Sequence, residues 1–388
     1  MNTRIVKLGS VCTVVSGSTP KSEVDEYWDG DVKWITPAEL TEDSYIITDS
    51  VRHITSQAVH DTSLKPFPEG TVILSSRAPI GKTAIAGCEM YCNQGFKNLI
   101  CSPQIDPKYL YCFLSGKTEY LNSLGRGATF KEISKSIVES IEIPLPELAV
   151  QRQISLQFEH IRALIRQYRK QLHYLDQLVK SRFIEMFGDP VSNPKGWPVQ
   201  NFEDISILIT DGEHATPRRS DNGIYLLSAR NVLNHTLQLD DVDFIDEDEY
   251  SRIARRVIPQ EGDVLISCSG SIGRCCVVPA NMRFQMVRSA ALIRFTDAIN
   301  PIYAEWLITS DELQRQIAQS ATQSSQANLF QGKIQKLHGY VPPKALQDEF
   351  ALFVIQTDKS KFSLKNGGKD ADFAVKCIWE SLCRGTLT

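Results

Sequence analysis

The most regular pattern of apolar and polar positions lies near the middle of the chain. Apolar side chains recur there at alternating steps of four and three residues, at Ile154, Phe158, Ile161, Ile165, Tyr168, Leu172, Leu175 and Val179. This spacing puts them on one face of an α-helix and is typical of the seam along which two helices form a coiled coil. We therefore predict a helix about 60 Å long in this region, with a second helix packed on the seam.

A second pattern is a long internal repeat. The segment from Gly70 to Gly81 resembles the segment from Gly262 to Gly273, which lies 192 residues later. Further matches follow in the same order, at shifts of 194 and 196 residues: Asp106-Pro107 with Asn300-Pro301, and Pro146 and Gln151 with Pro342 and Gln347. A period of this length is too long for a solenoid repeat. We interpret the chain as one half-protein that has been duplicated.

Each half is predicted to have a globular part followed by a long helix. Runs rich in Val and Ile, broken by Gly, Pro, Asn and Asp, favour short strands and turns in the globular parts. We place the globular domains at 1–146 and 189–341, and the long helices at 147–188 and 342–388. The seam, projected 196 residues on, passes mostly through apolar residues from Phe350 to Leu382. Asn366-Gly367-Gly368 is nevertheless expected to break or fray the second helix.

The charge balance changes the range of partners to consider. The 388 residues include 42 basic and 46 acidic side chains, a net charge of −4. A protein that bound nucleic acid through its overall charge would be basic, so DNA binding requires local basic surfaces. No apolar run approaches the roughly 18 residues of a membrane span, and the first residues contain no apolar signal segment. We expect a cytoplasmic protein without a membrane partner.

Motifs for catalysis or metal binding find little support. Gly81-Lys82-Thr83 resembles the end of a phosphate-binding loop, but Ser76 stands where the pattern needs its first glycine. The HExxH, GxSxG and GxGxxG motifs do not occur, no cysteines form a CxxC pair, and no histidine falls at zinc-finger spacing. The acidic run from Asp240 to Glu249 is interpreted as a solvated loop rather than a metal site. We predict no catalytic residue, no cofactor and no metal.

Several further segments carry a family resemblance, and they extend over nearly the whole chain to about Leu364. They are Gly125 to Ile133, Ile143-Pro144-Leu145-Pro146 with Gln151, Phe183 to Pro190, Asn193 to Trp197, Gln326 to Leu329, Pro342-Pro343 with Gln347, and Asp358 to Phe362. Their order and spacing resemble the specificity subunit of Type I restriction–modification systems. The tail beyond Leu364 departs from the family, since the usual charged heptads are replaced by Lys365-Asn366-Gly367-Gly368.

The resemblance implies a mixed α/β fold with a pseudo-twofold internal repeat. Two target-recognition domains would each read one half of a split, asymmetric site on double-stranded DNA. Two long antiparallel helices would separate these domains as a coiled coil. They would also dock two methylation subunits, and through these the restriction and motor subunits. Methyl transfer would belong to the partners. The alternative is an orphan or decoy subunit, a protein–protein scaffold whose weakened tail impairs assembly.

Polar loop residues are the candidates for reading DNA bases, because their donors and acceptors can match base edges in the major groove. In the first half we expect this role for Ser75, Ser76, Arg77, Lys82, Gln94, Lys97, Asn98, Arg126, Thr129 and Lys131. In the second half we expect it for His214, Thr216, Arg218, Arg219, Arg230, Asn231, Ser269, Arg274, Arg288, Gln326 and Asn328. Alanine at Arg218 or Arg219 is expected to weaken DNA binding without altering assembly.

Overall fold

The computed structural model describes residues 4–41, 43–127, 131–321 and 328–384. The contacts divide the chain into two units, one comprising residues 1–170 with 365–388 and the other residues 171–364. Each unit holds one globular α/β domain and a part of each long helix. The expected mixed α/β class with two similar domains and long helices is confirmed.

The globular part of the first unit consists of short strands and helices. Its strands are β1 (Arg4–Lys7), β2 (Cys12–Val15), β3 (Trp28–Ile35), β4 (Ile46–Ile47), β5 (His53–Ile54), β6 (Val72–Leu74), β7 (Thr83–Ala86), β8 (Tyr91–Cys92), β9 (Asn98–Cys101) and β10 (Glu142–Leu145). Its helices are α1 (Leu8–Val11), α2 (Ser56–Thr62), α3 (Pro107–Ser115), α4 (Thr118–Leu124) and α5 (Lys135–Ser140), and the long helix α6 (Leu148–Phe187) begins here. The strands form sheets in the orders β2-β9-β6-β7-β4, β5-β3-β8 and β1-β10.

The second unit repeats this plan. Its strands are β11 (Val199–Asn201), β12 (Ser206–Asp211), β13 (Ile224–Leu227), β14 (Val232–Leu233), β15 (Thr236–Leu237), β16 (Asp243–Ile245), β17 (Val264–Ser267), β18 (Cys275–Val277), β19 (Phe284–Met286), β20 (Ala290–Phe295) and β21 (His338–Tyr340). Its helices are α7 (Glu247–Ala254), α8 (Pro301–Ile308), α9 (Asp311–Ala321) and α10 (Gln331–Gln335), and the long helix α11 (Lys344–Arg384) begins here. The sheet orders β12-β20-β17-β18, β16-β13-β19 and β11-β21 correspond to those of the first unit, except that the large sheet has no counterpart of β4. A further two-stranded sheet, β14-β15, is present in the second unit.

Apolar strands at the centre of each large sheet anchor the cores. Val72, Ile73 and Leu74 of β6 are fully buried, as are Val264 and Leu265 of β17. Both faces of these central strands are covered, which explains why their sequences are continuously apolar rather than alternating. Each strand ends in polar residues that begin a loop, so the core holds the loops of the candidate site in place.

Matching hydrogen bonds show how the repeat joins each domain to its long helix. The amide of Gln151 accepts from the backbone N–H of Asp106 at 2.8 Å, and it donates to the carbonyls of Gln104 and Pro146. In the second unit Gln347 accepts from Asn300 N–H at 2.8 Å and donates to the carbonyls of Ala298 and Pro342. Both glutamines are completely buried. The repeat seen in the sequence is therefore a repeat of structure.

The apolar seam of α6 faces inward. Ile154, Phe158 and Val179 are buried, while Ile161, Ile165, Tyr168, Leu172 and Leu175 are partly buried. Leucines that lie off the seam, such as Leu156, Leu164 and Leu178, are about half exposed. The buried face of α6 is thus the face that the apolar spacing predicts.

Within the second unit the two long helices run antiparallel. Phe183 packs edge-on against Phe350, with ring centroids 5.4 Å apart. Towards the beginning of α6, Asp176 accepts from Lys361 at 2.8 Å. The partner numbers rise on α11 as those on α6 fall, which defines the antiparallel direction.

The prediction that the second long helix breaks or frays at Asn366-Gly367-Gly368 was wrong. Helix α11 continues through Asn366, Gly367 and Gly368 to Arg384. A Cβ atom on Gly367 would lie 3.0 Å from the ring and hydroxyl of Tyr168, which belongs to the same unit. The glycine therefore makes room for a large side chain of α6, and this packing offsets the low helix propensity of glycine.

Among the described residues, no helix has the length and apolar character needed to cross a lipid bilayer.

Candidate nucleic-acid interface

Three loops of the first unit meet at the ends of β6, β8 and β9. The backbone N–H of Ser76 donates to Gly95 at 2.8 Å, and its carbonyl accepts from Ile133 at 2.9 Å. These bonds bring together the loops at 75–81 and at 93–97 and the segment at 131–133. Most of the candidate residues of the first half lie in this group of loops.

The second unit assembles its loops with equivalent bonds. The N–H of Cys268 donates to Ser289 at 2.7 Å, and its carbonyl accepts from Leu329 at 2.9 Å. The loops at 267–274, 287–289 and 328–330 therefore meet as their counterparts do. The duplicated fold thus presents two similar sets of loops.

Two of the predicted contact residues shape these loops from within. The Ser75 hydroxyl donates to the carbonyl of Pro79 and accepts from the N–H of Lys82. Ser267, at the equivalent position, bonds in the same way to Ser271 and to the N–H of Arg274. Ser75 and Ser76 are completely buried, so their side chains support the loop rather than face a ligand.

A carboxylate joins two candidate cations in the first unit. Glu132 accepts from Arg77 Nε and from Lys97 Nζ, each at 3.0 Å. Burial opposes ionisation of Glu132, but the hydrogen bonds and charges of Lys97 and Arg77 dominate and lower its pKa. Lys97 is 7 % exposed and also reaches the Ser76 hydroxyl at 3.4 Å. The cluster carries one net positive charge, most of it on the exposed side of Arg77.

Two more candidates of the first half point into the protein. Lys82 Nζ donates to the carbonyl of Leu40. Asn98 is completely buried, and its amide nitrogen lies 3.1 Å from the Cys92 sulfur. Gln94, Arg126 and Lys131 are exposed, and Thr129 lies outside the described residues. The exposed candidates are therefore the ones open to a ligand.

The arginines of the second half are paired with acidic residues. Arg218 Nη2 lies 2.7 Å from Asp246, Arg219 Nε lies 2.9 Å from Asp243, and Arg230 Nη2 lies 3.1 Å from Asp243. For Asp243, burial is outweighed by Arg219 and Arg230, which lower its pKa. The acidic run is thus the partner of three candidate arginines.

The remaining candidates of the second half divide into supporting and exposed residues. Asn231 is completely buried, accepts from Ser228 and donates to two carbonyls. Arg274 Nη2 donates to Ala229 at 3.2 Å, and the carbonyl of Asn328 accepts from Lys333. His214, Thr216 and Arg288 are exposed, Ser269 is partly buried, and Gln326 lies outside the described residues.

The site residues that the sequence-based prediction did not include are acidic or small. Glu132 organises the first cluster, and it lies within the Gly125-to-Ile133 segment that carries the family resemblance. Thr19 holds Gln94 through a hydroxyl-to-amide bond of 2.6 Å, although the two are 75 residues apart. No pattern in the sequence indicated this contact.

Two similar domains with polar loops, each joined to a long helix, make up the described part of the chain. Residues 2–173 match the family model described as the Type I restriction modification DNA specificity domain. The match covers slightly less than half of the chain, and it confirms the resemblance read from the sequence.

Relatives agree with this assignment. The Type I restriction enzyme MjaIX specificity subunit of Methanocaldococcus jannaschii is 37% identical over 232 residues, which cover 55% of this chain and 54% of the relative. The EcoprrI specificity subunit of Escherichia coli is 23% identical over 361 residues, which cover 86% and 82%. The chain thus spans about half the length of the first of these relatives and most of the second.

Solved structures share the fold. The S subunit of a Type I restriction–modification system from M. genitalium has a TM-score of 0.59 at 14% identity, covering 98% of this chain and 96% of that one. A chain from a structure on complex assembly and conformational transition of the type I system has a TM-score of 0.60 at 16% identity, with coverage of 99% and 98%.

Proposed function

We propose that this protein is the non-catalytic DNA-recognition subunit of a Type I restriction–modification complex. Each domain reads one half of a bipartite, asymmetric site on double-stranded DNA. One observation carries the proposal: the two domains share the bonds that position their loops, but they differ in the residues that those loops expose. A homodimer would read two identical half-sites, whereas unlike loops on a common frame call for two different half-sites.

The same proposal assigns methyl transfer and cleavage to partner subunits. Methylation subunits dock on the long helices, and the restriction and motor subunits join through them. The repeated joints around Gln151 and Gln347 give two equivalent helix beginnings, which supports two methylation subunits per chain. Such a complex acts on chromosomal DNA, so we place it in the cytoplasm.

The test is to assemble the chain with its methylation subunits and map the methylated adenines on genomic DNA. We expect one sequence motif with two unlike halves separated by a gap of constant length. An unmethylated genome with a fully assembled complex, or a palindromic motif, would contradict the proposal.

The alternative of a decoy scaffold rested on a weakened tail beyond Leu364. Helix α11 continues without interruption past Gly368, so the described part of the tail gives no support for impaired assembly. Measuring the mass of the complex with methylation subunits separates the two functions directly.

A further inference from the structure

Gln94 and Arg288 occupy the same position in the two domains. Gln94 lies in the turn between β8 and β9, and Arg288 lies in the turn between β19 and β20. Strand β8 pairs in parallel with β3, as β19 does with β13. The residue before each turn residue is also anchored alike, since Asn93 N–H donates to Ile35 and Val287 N–H donates to Leu227.

The residues on either side of the two turns confirm this equivalence. Before the turn, the carbonyl of Cys92 accepts from Ser18 at 2.9 Å, and that of Met286 accepts from Glu213 at 2.8 Å. After the turn, the carbonyls of Gly95 and Ser289 accept from Ser76 and Cys268. Both turns are thus held rigidly at both ends, with one long polar side chain exposed at each tip.

Several other candidate cations differ from Arg288 because they are paired with carboxylates. Arg77 and Lys97 share Glu132, while Arg218, Arg219 and Arg230 are paired with aspartates. The side chain of Arg288, by contrast, has no hydrogen-bond or ion-pair partner among the described residues. A guanidinium without a carboxylate partner keeps all of its donors available for a ligand.

The Gln94 amide is also available, and it is held in position. Its Oε1 accepts one hydrogen bond from the Thr19 hydroxyl at 2.6 Å. A carbonyl oxygen has a second lone pair, so Oε1 can still accept from a base while Nε2 donates. Gly17 makes this approach possible, because a Cβ atom there would lie 1.9 Å from the Cys92 carbonyl oxygen. Thr19 is therefore a positioning residue for the amide.

We infer that Gln94 and Arg288 are equivalent base-reading residues, and that they specify different bases. A glutamine amide pairs in bidentate fashion with N6 and N7 of adenine, and a guanidinium pairs with O6 and N7 of guanine. The first half-site therefore contains an A·T pair, and the second half-site a G·C pair, at the positions that these turns contact. This inference rests on the proposed DNA-recognition function.

The test exchanges the two side chains in the assembled complex with methylation subunits. Bound sequences are selected from a randomised duplex DNA library and compared for the wild type, Gln94→Arg and Arg288→Gln. We expect Gln94→Arg to change one A·T pair of one half-site to G·C, and Arg288→Gln to change one G·C pair of the other half-site to A·T. Each preference should be about tenfold or more.

Matched controls separate this effect from a change of surface charge. Gln104→Arg adds the same side chain at an exposed position of the same unit, and Arg255→Gln removes an exposed guanidinium in the second unit. Both controls should leave the motif unchanged. Thr19→Val should weaken the preference at the Gln94 position without changing the preferred base, and Thr19→Ser should retain it.

The outcomes distinguish this inference from the broader function. If the wild-type complex selects a bipartite motif but Gln94→Arg leaves it unchanged, the inference is wrong and the proposed function stands. If the wild type selects no bipartite motif, both fail. Should Gln94→Arg not assemble, Gln94→Ala decides, because it only removes an exposed side chain. Loss of preference at one position supports the inference, and an unchanged motif overturns it.

Discussion

Gln151 and Gln347 show how one buried side chain can join two elements. Each amide bonds to the backbone at the beginning of a helix in its own domain and to the proline before the long helix. A buried amide with all of these partners satisfied orients the two segments, because any other orientation leaves polar groups unpaired. The long helices therefore begin in a direction set by the globular domains.

Replacing Gln151 with alanine should lower the free energy of unfolding by about 3 kcal/mol, since the N–H of Asp106 and two carbonyls lose a buried partner. Urea denaturation of the full chain measures this loss. The control is Gln153→Ala, which changes an exposed residue two positions further along the same helix. This substitution should lower the free energy of unfolding by less than about 0.5 kcal/mol. Equal losses of stability for both substitutions would contradict the structural role proposed for Gln151.

Glu132 predicts a dependence of stability on pH. Its pKa is lower in the folded protein than the ordinary value near 4.3, because Lys97 and Arg77 favour the ionised form. The stabilisation is therefore complete above the unfolded value and is lost as the pH falls through the folded value. We expect Glu132→Gln to destabilise the protein by about 1–3 kcal/mol at pH 6 to 7, and by progressively less below about pH 4.

Urea midpoints measured over this pH range check the expectation. Glu69→Gln removes an exposed carboxylate that forms no hydrogen bond or ion pair among the described residues, and it serves as the control. A Glu132→Gln effect that does not change with pH would show that the lost contribution is not electrostatic.

At this scale the sequence predicted residue types better than their roles. It indicated that Ser75 and Asn231 matter, but not that both are buried supports. The pairing of Arg218 with Asp246 joins residues 28 positions apart through the folding of β16 against β13. Local patterns carry no information about such a contact, because it depends on which strands become neighbours.

The long helices show the opposite balance, since the period and the repeat predicted both of them. The seam spacing identified the inward face of α6 because burial on a helix follows its own period of 3.6 residues. The error came at Gly367 and Gly368, where helix propensity was used without knowledge of the packing. The Tyr168 side chain of α6 occupies the space beside Gly367. The sequence of the second helix alone does not indicate which side chain of the first helix packs there, or how large it is.

The two glycines should therefore respond differently to alanine. Gly368→Ala should stabilise the protein by about 0.5–1 kcal/mol, because its nearest neighbour, Tyr168, is 4.0 Å from the added Cβ atom. Gly367→Ala should give no gain or a loss, since its Cβ atom meets Tyr168 at 3.0 Å. Thermal unfolding of the two variants compares them directly. If Gly367→Ala stabilises as much as Gly368→Ala, the packing explanation is wrong.

The whole molecule repeats one frame with different surfaces. The central strand order of the large sheets and the joints around Gln151 and Gln347 are shared, while the turn residues Gln94 and Arg288 differ. The residues that support the fold are therefore different from the residues proposed to recognise DNA. The repeat was visible in the sequence because the shared frame needs the same prolines, glycines and glutamines in both halves.

This separation predicts that the domains are interchangeable. Replacing residues 1–140 with the first domain of another specificity subunit should change one half-site and leave the other unchanged. Methylation mapping of the resulting complex is the measurement. A chimaera that retains Pro146 and Gln151 keeps the helix side of the joint to α6. A change in both half-sites would then show that the domains do not read DNA independently.

The division of the chain into units has a consequence for the order of synthesis. The first unit includes residues 365–388, so it lacks this helical segment until the ribosome has passed residue 365. At about 5–20 residues per second, the ribosome needs roughly 10–40 s to pass from residue 170 to residue 365. Throughout that interval Tyr168 is already made, but Gly367, against which its ring lies, does not yet exist. The domain made first is therefore completed last, and the nascent chain must keep part of its apolar seam uncovered while the second domain folds.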